Sequence, residues 1–190
     1  DDLLTYEELD KYVDIVAEAN RFLVENIIPD FISLSDLRFI LTSLIREKIS
    51  IKDIVYIFEK INDFAEDSSK SDLLKKIRLS LSRQICKKNA NQDGIITAIE
   101  MSEKTLDKFN PNFDESDDAI IRIDADFAEK LAEKLKQKIK QLDIENPKLF
   151  VPMEFRHLIF TLLSNYMNDI TVLAREEVGC NAQIEILTEI

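Results

Sequence analysis

The chain has 190 residues, of which 45% are hydrophobic, and its 37 acidic and 25 basic side chains give a formal net charge of −12. This length allows one large domain or two small ones with a real core, and the composition is typical of a folded chain. The negative charge argues against a nucleic-acid binder, which needs clustered Lys and Arg, and against docking on anionic lipid.

Other simple features narrow the class of protein further. No apolar run is long enough to predict a membrane span, and we expect no secretory signal. Cys86 and Cys180 are too few and too far apart for a disulfide framework, which fits a reducing cytoplasm. Only two glycines occur, which excludes a Gly-rich phosphate loop. The chain begins at Asp1 without an initiator Met, so we expect a piece of a longer protein.

The first ninety residues have the pattern of a helical subdomain. Thr5 and Glu8 form a capping box that predicts the start of the first helix, and a short helix is expected over Arg21–Ile27 before Pro29. A further helix is expected from Leu73 to the lysines at 87 and 88, after a polar connection at residues 66–71.

Two amphipathic helices joined by a tight turn lie between residues 28 and 65, and we expect the rest of the chain to be organised around them. Their apolar side chains recur at helical spacing: Leu37, Ile40, Leu41, Leu44 and Ile45 in the first, and Ile51, Ile54, Val55, Phe58 and Ile61 in the second. Ser35 and Ser50 are the predicted N-caps. The turn at residues 46–53 is charged and contains two isoleucines that would anchor it to the core. This pattern predicts a surface that binds a partner rather than a catalytic site.

After Asn89 the pattern alternates between strands and helices. Strands are predicted at residues 95–99, 120–123, 149–151, 171–174 and 182–187. Helices are predicted at residues 103–109, after an N-cap at Asp124, and from Pro152 at the first helical position, and residues 110–118 are predicted to be a loop. The fold class is therefore α+β: a helical subdomain over residues 1–90 followed by a small α/β sandwich over residues 91–190.

One local motif approaches a calcium-binding loop. Asn89, Asn91, Asp93 and Glu100 stand at ligand positions of the EF-hand pattern, with Gly94 at the sixth position. An asparagine replaces the usual first aspartate, two lysines precede the loop, and no second loop exists to pair with it. A polar turn that leads into a strand is therefore favoured, and a calcium-binding regulatory protein is the alternative reading.

No catalytic constellation is evident. His157 is the only histidine and falls off the apolar stripe of its helix, so neither a histidine-rich metal site nor a histidine-assisted nucleophile has support. Cys86 is interpreted as a small buried hydrophobe. We expect no enzyme activity, no cofactor and no metal.

Charges of opposite sign gather at the central turn. Arg46, Lys48 and Lys52 are basic, whereas Asp53, Glu59 and the acidic loop at residues 114–118 supply the opposite sign. Such patches could meet between copies and close a ring through a heterologous contact, or could pair within one chain, and the sequence does not separate the two.

The order of several motifs resembles the cytoplasmic domain of the type III secretion export-gate family. Ile28-Pro29 is followed by a turn that reads REKISIKD where the family usually has RERVSIRD. The segment LSRQI at residues 81–85 resembles the family's L-x-R-x-I, GIITAIEMS at 94–102 resembles its first α/β strand, and ITVLAREEV at 170–178 resembles its closing motif. The family's L-D-P is IDA at residues 123–125, without the proline. The tail at residues 180–190 favours the virulence branch.

The resemblance implies a non-catalytic module at the cytoplasmic face of the bacterial inner membrane. The chain would be the last two of four cytoplasmic subdomains, attached to the membrane only through an N-terminal region that it lacks. It would assemble into a nonameric ring and dock other export-apparatus proteins, chaperone–substrate complexes or gatekeeper proteins. Candidate subunit contacts are Arg46, Lys52, Asp53 and Arg83.

Overall fold

The computed structural model describes residues 3–108, 125–179 and 182–190, and these contain ten helices and four strands. The chain divides into two compact units, Asp1–Ile85 (unit 1) and Cys86–Ile190 (unit 2). Unit 1 is helical and unit 2 contains the sheet, so the mixed α+β fold is as predicted. The division falls after Ile85 rather than at residue 90. Cys86 therefore belongs to unit 2, where its thiol donates a hydrogen bond to the Val178 carbonyl at 3.3 Å.

Unit 1 is a set of helices in which α4, the second helix of the predicted pair, packs against three others. The helices are α1 Tyr6–Ala19, α2 Arg21–Ile27, α3 Leu34–Arg46, α4 Ile54–Phe64, α5 Lys70–Ser80 and α6 Ser82–Asn89, which continues into unit 2. Helix α4 packs against α1, α2 and α5, and α3 packs against α5. The apolar faces that the spacing predicts supply fully buried side chains, among them Leu37, Ile40, Leu41, Leu44, Phe58 and Ile61.

Two N-cap predictions have different outcomes. The capping box of α1 is confirmed, because the Glu8 amide donates to Thr5 Oγ1 at 3.2 Å and the Thr5 amide donates to Glu8 Oε2 at 2.8 Å. Ser35 is wrong as the cap of α3, since Ser33 holds that position and accepts from the Asp36 amide at 3.0 Å. With Ser33 as cap, an acidic residue falls at the third helical position and accepts the Ser33 hydroxyl in return.

The helix predicted from Leu73 onward is two helices with a break at Leu81. In an unbroken helix the Ser80 carbonyl would accept an amide four residues later, but the Tyr56 hydroxyl donates to it at 3.3 Å. The Ser80 hydroxyl also donates back to the Lys76 carbonyl, a bond that bends helices. A partner from α4 thus ends α5 where the apolar spacing alone predicts continuation.

Unit 2 contains a parallel sheet with the strand order β3-β2-β1-β4. Its described elements are β1 Ile95–Glu100, α7 Glu103–Leu106, α8 Ala125–Gln141, β2 Lys148–Phe150, α9 Met153–Ser164, β3 Thr171–Leu173, α10 Arg175–Val178 and β4 Gln183–Glu189. Four predicted strands are therefore confirmed, with ends shifted by one or two residues. Pro152 is the N-cap of α9 rather than its first residue.

Helices α8 and α9 form one core with the sheet, contributing Leu131, Leu135, Ile159 and Leu163 to a cluster with Leu149 and Val172. Phe150 and Leu173 lie outside this cluster and are equally buried, as expected for a parallel sheet covered on both faces. The predicted loop at 110–118, the strand at 120–123 and the cap at Asp124 lie outside the described residues. Among the described helices, none combines the length and the apolar character needed to cross a membrane.

Candidate functional site

The turn between α3 and α4 begins with a tightly closed helix end. Glu47 is the C-cap of α3, and Lys48 follows with a φ of 57° in the left-handed region. The Lys48 amide donates to the Ile45 carbonyl and the Ile49 amide to the Leu44 carbonyl, both at 2.8 Å. These two bonds define a Schellman motif, with buried Ile49 beside buried Leu44. A lysine in this conformation costs about 1–2 kcal/mol relative to the ordinary helical region, so the surrounding structure must hold it there.

The second half of the turn leads into α4 and positions Asp53. Ile51 is buried, and Asp53 caps α4 by accepting the Tyr56 amide at 3.4 Å. The prediction that Ser50 caps α4 is wrong, because Asp53 holds that position. The Ser50 carbonyl instead accepts a hydrogen bond from a side chain of α6. Ser50 Oγ accepts only the Lys52 amide within the turn, at 3.3 Å.

Two long-range contacts hold the turn from α5 and α6. Arg78 Nη1 donates to Glu47 Oε2 at 2.7 Å, and these side chains are only 1% and 5% exposed. Gln84 Nε2 donates to the Ser50 carbonyl at 3.0 Å. None of these three side chains was predicted to hold the turn. The available signal was Arg78, an arginine flanked by Leu74, Ile77 and Leu81 on the apolar stripe of α5.

The structure brings three of the four predicted contact residues together. Arg46, Lys52 and Asp53 are all exposed on this one turn, which makes it a small surface carrying both signs of charge. Arg83 is also exposed and immediately precedes Gln84 in α6, whose amide reaches the turn. The acidic residues 114–118 that could complement this surface lie outside the described residues.

Two of the four candidate calcium ligands, Asn91 and Glu100, have side chains with other partners within unit 2. Asn91 Oδ1 accepts the amides of Asp93 at 3.0 Å and Ile95 at 2.9 Å, which forms the polar turn before β1. Glu100 Oε1 accepts from Arg175 Nη2 at 2.6 Å and Nε at 2.9 Å. Asn89 is the last residue of α6. Among the described residues no group of three or more acidic, His or Cys side chains is placed to hold a metal ion.

A cleft of about 660 Å³ opens at the carboxyl ends of the strands, between α7 and α10. Its apolar lining includes Met101, Leu106 and Val151, and its charged lining includes the Glu100–Arg175 pair. The Arg175 guanidinium also lies 5.7 Å from the centre of the Phe150 ring. At the cleft, Glu100 and Arg175 thus neutralise each other, whereas the α3–α4 turn exposes both signs of charge on one short segment.

The sequence and fold comparisons agree with one another. Flagellar biosynthesis protein FlhA of Bacillus subtilis is 24% identical over 188 residues, which is 97% of this chain and 28% of FlhA. This chain thus spans little more than a quarter of that relative's length. The nonameric EPEC SctV-C structure superposes with a TM-score of 0.84 at 18% identity, over 98% of this chain and 57% of SctV-C. The Chlamydia pneumoniae CdsV structure in complex with CdsO superposes with a TM-score of 0.83 at 20% identity, over 97% and 54% of the two chains.

These structural similarities establish the fold, and they do not separate the flagellar branch from the virulence branch. The model of the FHIPEP family matches residues 1–183. The chain therefore belongs to the FHIPEP family, the type III export-gate family that its motifs resemble.

Proposed function

We propose that this chain is a ring-forming module of a bacterial type III secretion export gate, and that it assembles into a nonamer at the cytoplasmic face of the inner membrane. The observation that carries the proposal is the α3–α4 turn, where Arg46, Lys52 and Asp53 are exposed together on a braced element. The nonameric state of the similar SctV-C supports the stoichiometry.

The assembled ring would act by binding rather than by catalysis. Its partners would be other export-apparatus proteins, chaperone–substrate complexes or gatekeeper proteins. The complex of the similar CdsV with CdsO supports the binding of further proteins of the secretion system. The virulence branch, favoured by the tail at residues 180–190, remains part of the proposal.

The subunit contact uses charges of both signs on one turn. Arg46 and Lys52 on one copy would meet acidic groups of the next copy, and Asp53 would meet basic ones, with Arg83 contributing at the edge. A heterologous contact of this kind closes into a ring when its rotation is suitable. Complementary charges also fix the register of such a contact and exclude wrong partners.

The experiment measures association of tethered copies, because single contacts in a ring can be weak until local concentration is raised. Copies labelled with donor or acceptor dyes are bound through an N-terminal tag to vesicles at increasing surface density. Energy transfer between wild-type copies is compared with that between copies carrying Asp53→Arg. We expect a loss of at least tenfold in apparent association, because the reversal places like charges together.

Three further variants distinguish an effect of charge on association from an effect of misfolding. Asp53→Asn keeps an N-cap for α4 but removes the charge, and is expected to weaken association less than the reversal. Arg46→Glu reverses a cation of the same turn and is expected to weaken association as Asp53→Arg does, because its acidic partners on the next copy would then repel it. Lys130→Glu reverses an exposed charge on α8 and should change nothing. Energy transfer that is the same for wild type and Asp53→Arg at every density would contradict the proposal.

A further inference from the structure

We propose that the buried Arg78–Glu47 ion pair is a positioning device that sets the α3–α4 turn in the geometry through which a second copy of this chain binds. This inference rests on the proposed ring-forming function and names what prepares its contact surface. Arg78 and Glu47 would not touch the second copy, since both side chains are buried. They would act through the exposed residues of the turn.

Stability alone does not account for this pair. Transferring two charges out of water is expensive, and apolar side chains of similar volume at such positions often give an equally stable or more stable fold. The position of the pair is more informative. Glu47 is the last residue before Lys48, whose left-handed backbone turns the chain away from α3. A fixed Glu47 side chain therefore fixes the point from which the charged turn departs.

A second contact holds the other half of the same turn. Gln84 on α6 donates to the Ser50 carbonyl, while Ile49 and Ile51 anchor the turn to the core on either side of Ser50. The backbone from Glu47 to Asp53 is thus held by side chains of two other helices and by its own isoleucines. Its charged side chains at 46, 52 and 53 remain exposed.

A preset turn makes a small charged contact effective. A surface that is already ordered loses less conformational entropy when it binds, so more of the attraction appears as affinity. The occupant is a second copy, because the proposed ring is built from identical chains and the similar SctV-C structure is nonameric. In a heterologous ring contact the turn of one copy meets a different surface of the next copy, where Arg46, Lys52 and Asp53 each need groups of opposite charge.

The test replaces the pair by apolar side chains. In the double variant Glu47→Leu with Arg78→Met, no buried charge is left alone, so we expect a melting temperature within a few degrees of wild type. We expect amide exchange at Lys48 and Ile49 to become at least tenfold faster, since these amides close the end of α3. Association of vesicle-tethered copies should fall by at least tenfold.

The matched control removes a similar pair elsewhere. Arg156 and Glu177 form a buried ion pair in unit 2, and the double variant Arg156→Met with Glu177→Leu should leave turn exchange and association unchanged. Gln84→Ala tests the second brace at a half-exposed side chain that the fold tolerates losing. It should accelerate exchange in the turn and weaken association severalfold, and this keeps the inference testable if the apolar double variant does not fold.

The outcomes separate this inference from the proposed function. If Asp53→Arg abolishes association but the apolar double variant and Gln84→Ala associate like wild type, the positioning role is refuted and the ring contact stands. If turn exchange rises without any loss of association, the positioning role is likewise refuted. If Asp53→Arg has no effect, the turn is not the contact and both proposals fail. Faster turn exchange with weaker association at an unchanged melting temperature supports both.

Discussion

Replacing Arg156 by methionine tests how the second buried ion pair stabilises unit 2. Arg156 Nε lies 3.4 Å from Glu177 Oε1, and the two side chains are 2% and 0% exposed. Glu177 Oε2 also accepts the Ala174 amide at 3.1 Å, between β3 and α10. The pair therefore joins α9 to the segment that follows β3.

The expected magnitude follows from this geometry. At 3.4 Å and an effective dielectric constant of about 20, the attraction is about 5 kcal/mol. Desolvation of the two ions offsets most of it, so the intact pair contributes little net stability, but removing Arg156 leaves Glu177 as an uncompensated buried charge. We expect Arg156→Met to reduce the free energy of unfolding by about 3–5 kcal/mol.

The double variant Arg156→Met with Glu177→Leu should recover most of that loss. A residual cost of about 1–3 kcal/mol is expected because the Ala174 amide loses its acceptor. Urea unfolding gives the free energies, and exchange of the Val151 amide, which bonds the Leu173 carbonyl, assigns the loss to unit 2. Lys130→Met at an exposed ion pair is the control and should cost under about 0.5 kcal/mol. A single variant that costs less than about 1 kcal/mol, or a double variant as unstable as the single one, would refute the reasoning.

Three further predictions concern the turn, α5 and the end of β4. Lys48→Gly should raise the free energy of unfolding by about 0.5–1 kcal/mol in urea titration, since glycine adopts a φ of 57° without strain, yet should weaken tethered association. The Ser69 hydroxyl donates to the Asp72 carboxylate and lowers the pKa of Asp72 from its usual 3.8. The stability that this hydrogen bond contributes is therefore complete above pH 3.8 and is lost as the pH falls through the lowered pKa. Asp72→Asn should therefore lower stability by at most about 1 kcal/mol at pH 7, and in acid unfolding the difference should vanish as the pH falls through the lowered pKa of Asp72. Ile190→Ala should cost about 2–5 kcal/mol by thermal unfolding, because this side chain is buried in the core of unit 2.

Helix positions could be predicted from the sequence because their signals are local. The Thr5 capping box and the apolar spacing of α3 and α4 each lie within a few residues, and the structure places these helices as expected. The failures have tertiary causes. Ser50 has the chemistry of an N-cap, but its carbonyl is held by Gln84, 34 residues later, and α4 starts only after Asp53.

The features of the proposed contact surface also differ in whether they depend on local or on long-range information. The exposed charges at Arg46, Lys52 and Asp53 follow from the charged sequence of the turn between two apolar stripes. The pairing of Arg78 with Glu47 does not, because 31 residues separate them and no local spacing indicates which carboxylate an arginine within an apolar stripe will meet. The arginine itself was the visible anomaly, since a buried cation requires a partner.

The net charge of −12 explains why such a contact would need a fixed geometry. Two copies repel each other at long range, and at 0.1 M salt this repulsion is screened beyond about 10 Å. Attraction between opposite charges must therefore come from a few groups brought within contact distance, where solvent and salt screen them less. A mobile turn would lose part of that attraction to ordering its own backbone. A turn held by Arg78, Gln84 and two buried isoleucines avoids this cost, so in the proposed contact the buried side chains that hold the turn and the exposed charges on it would act together.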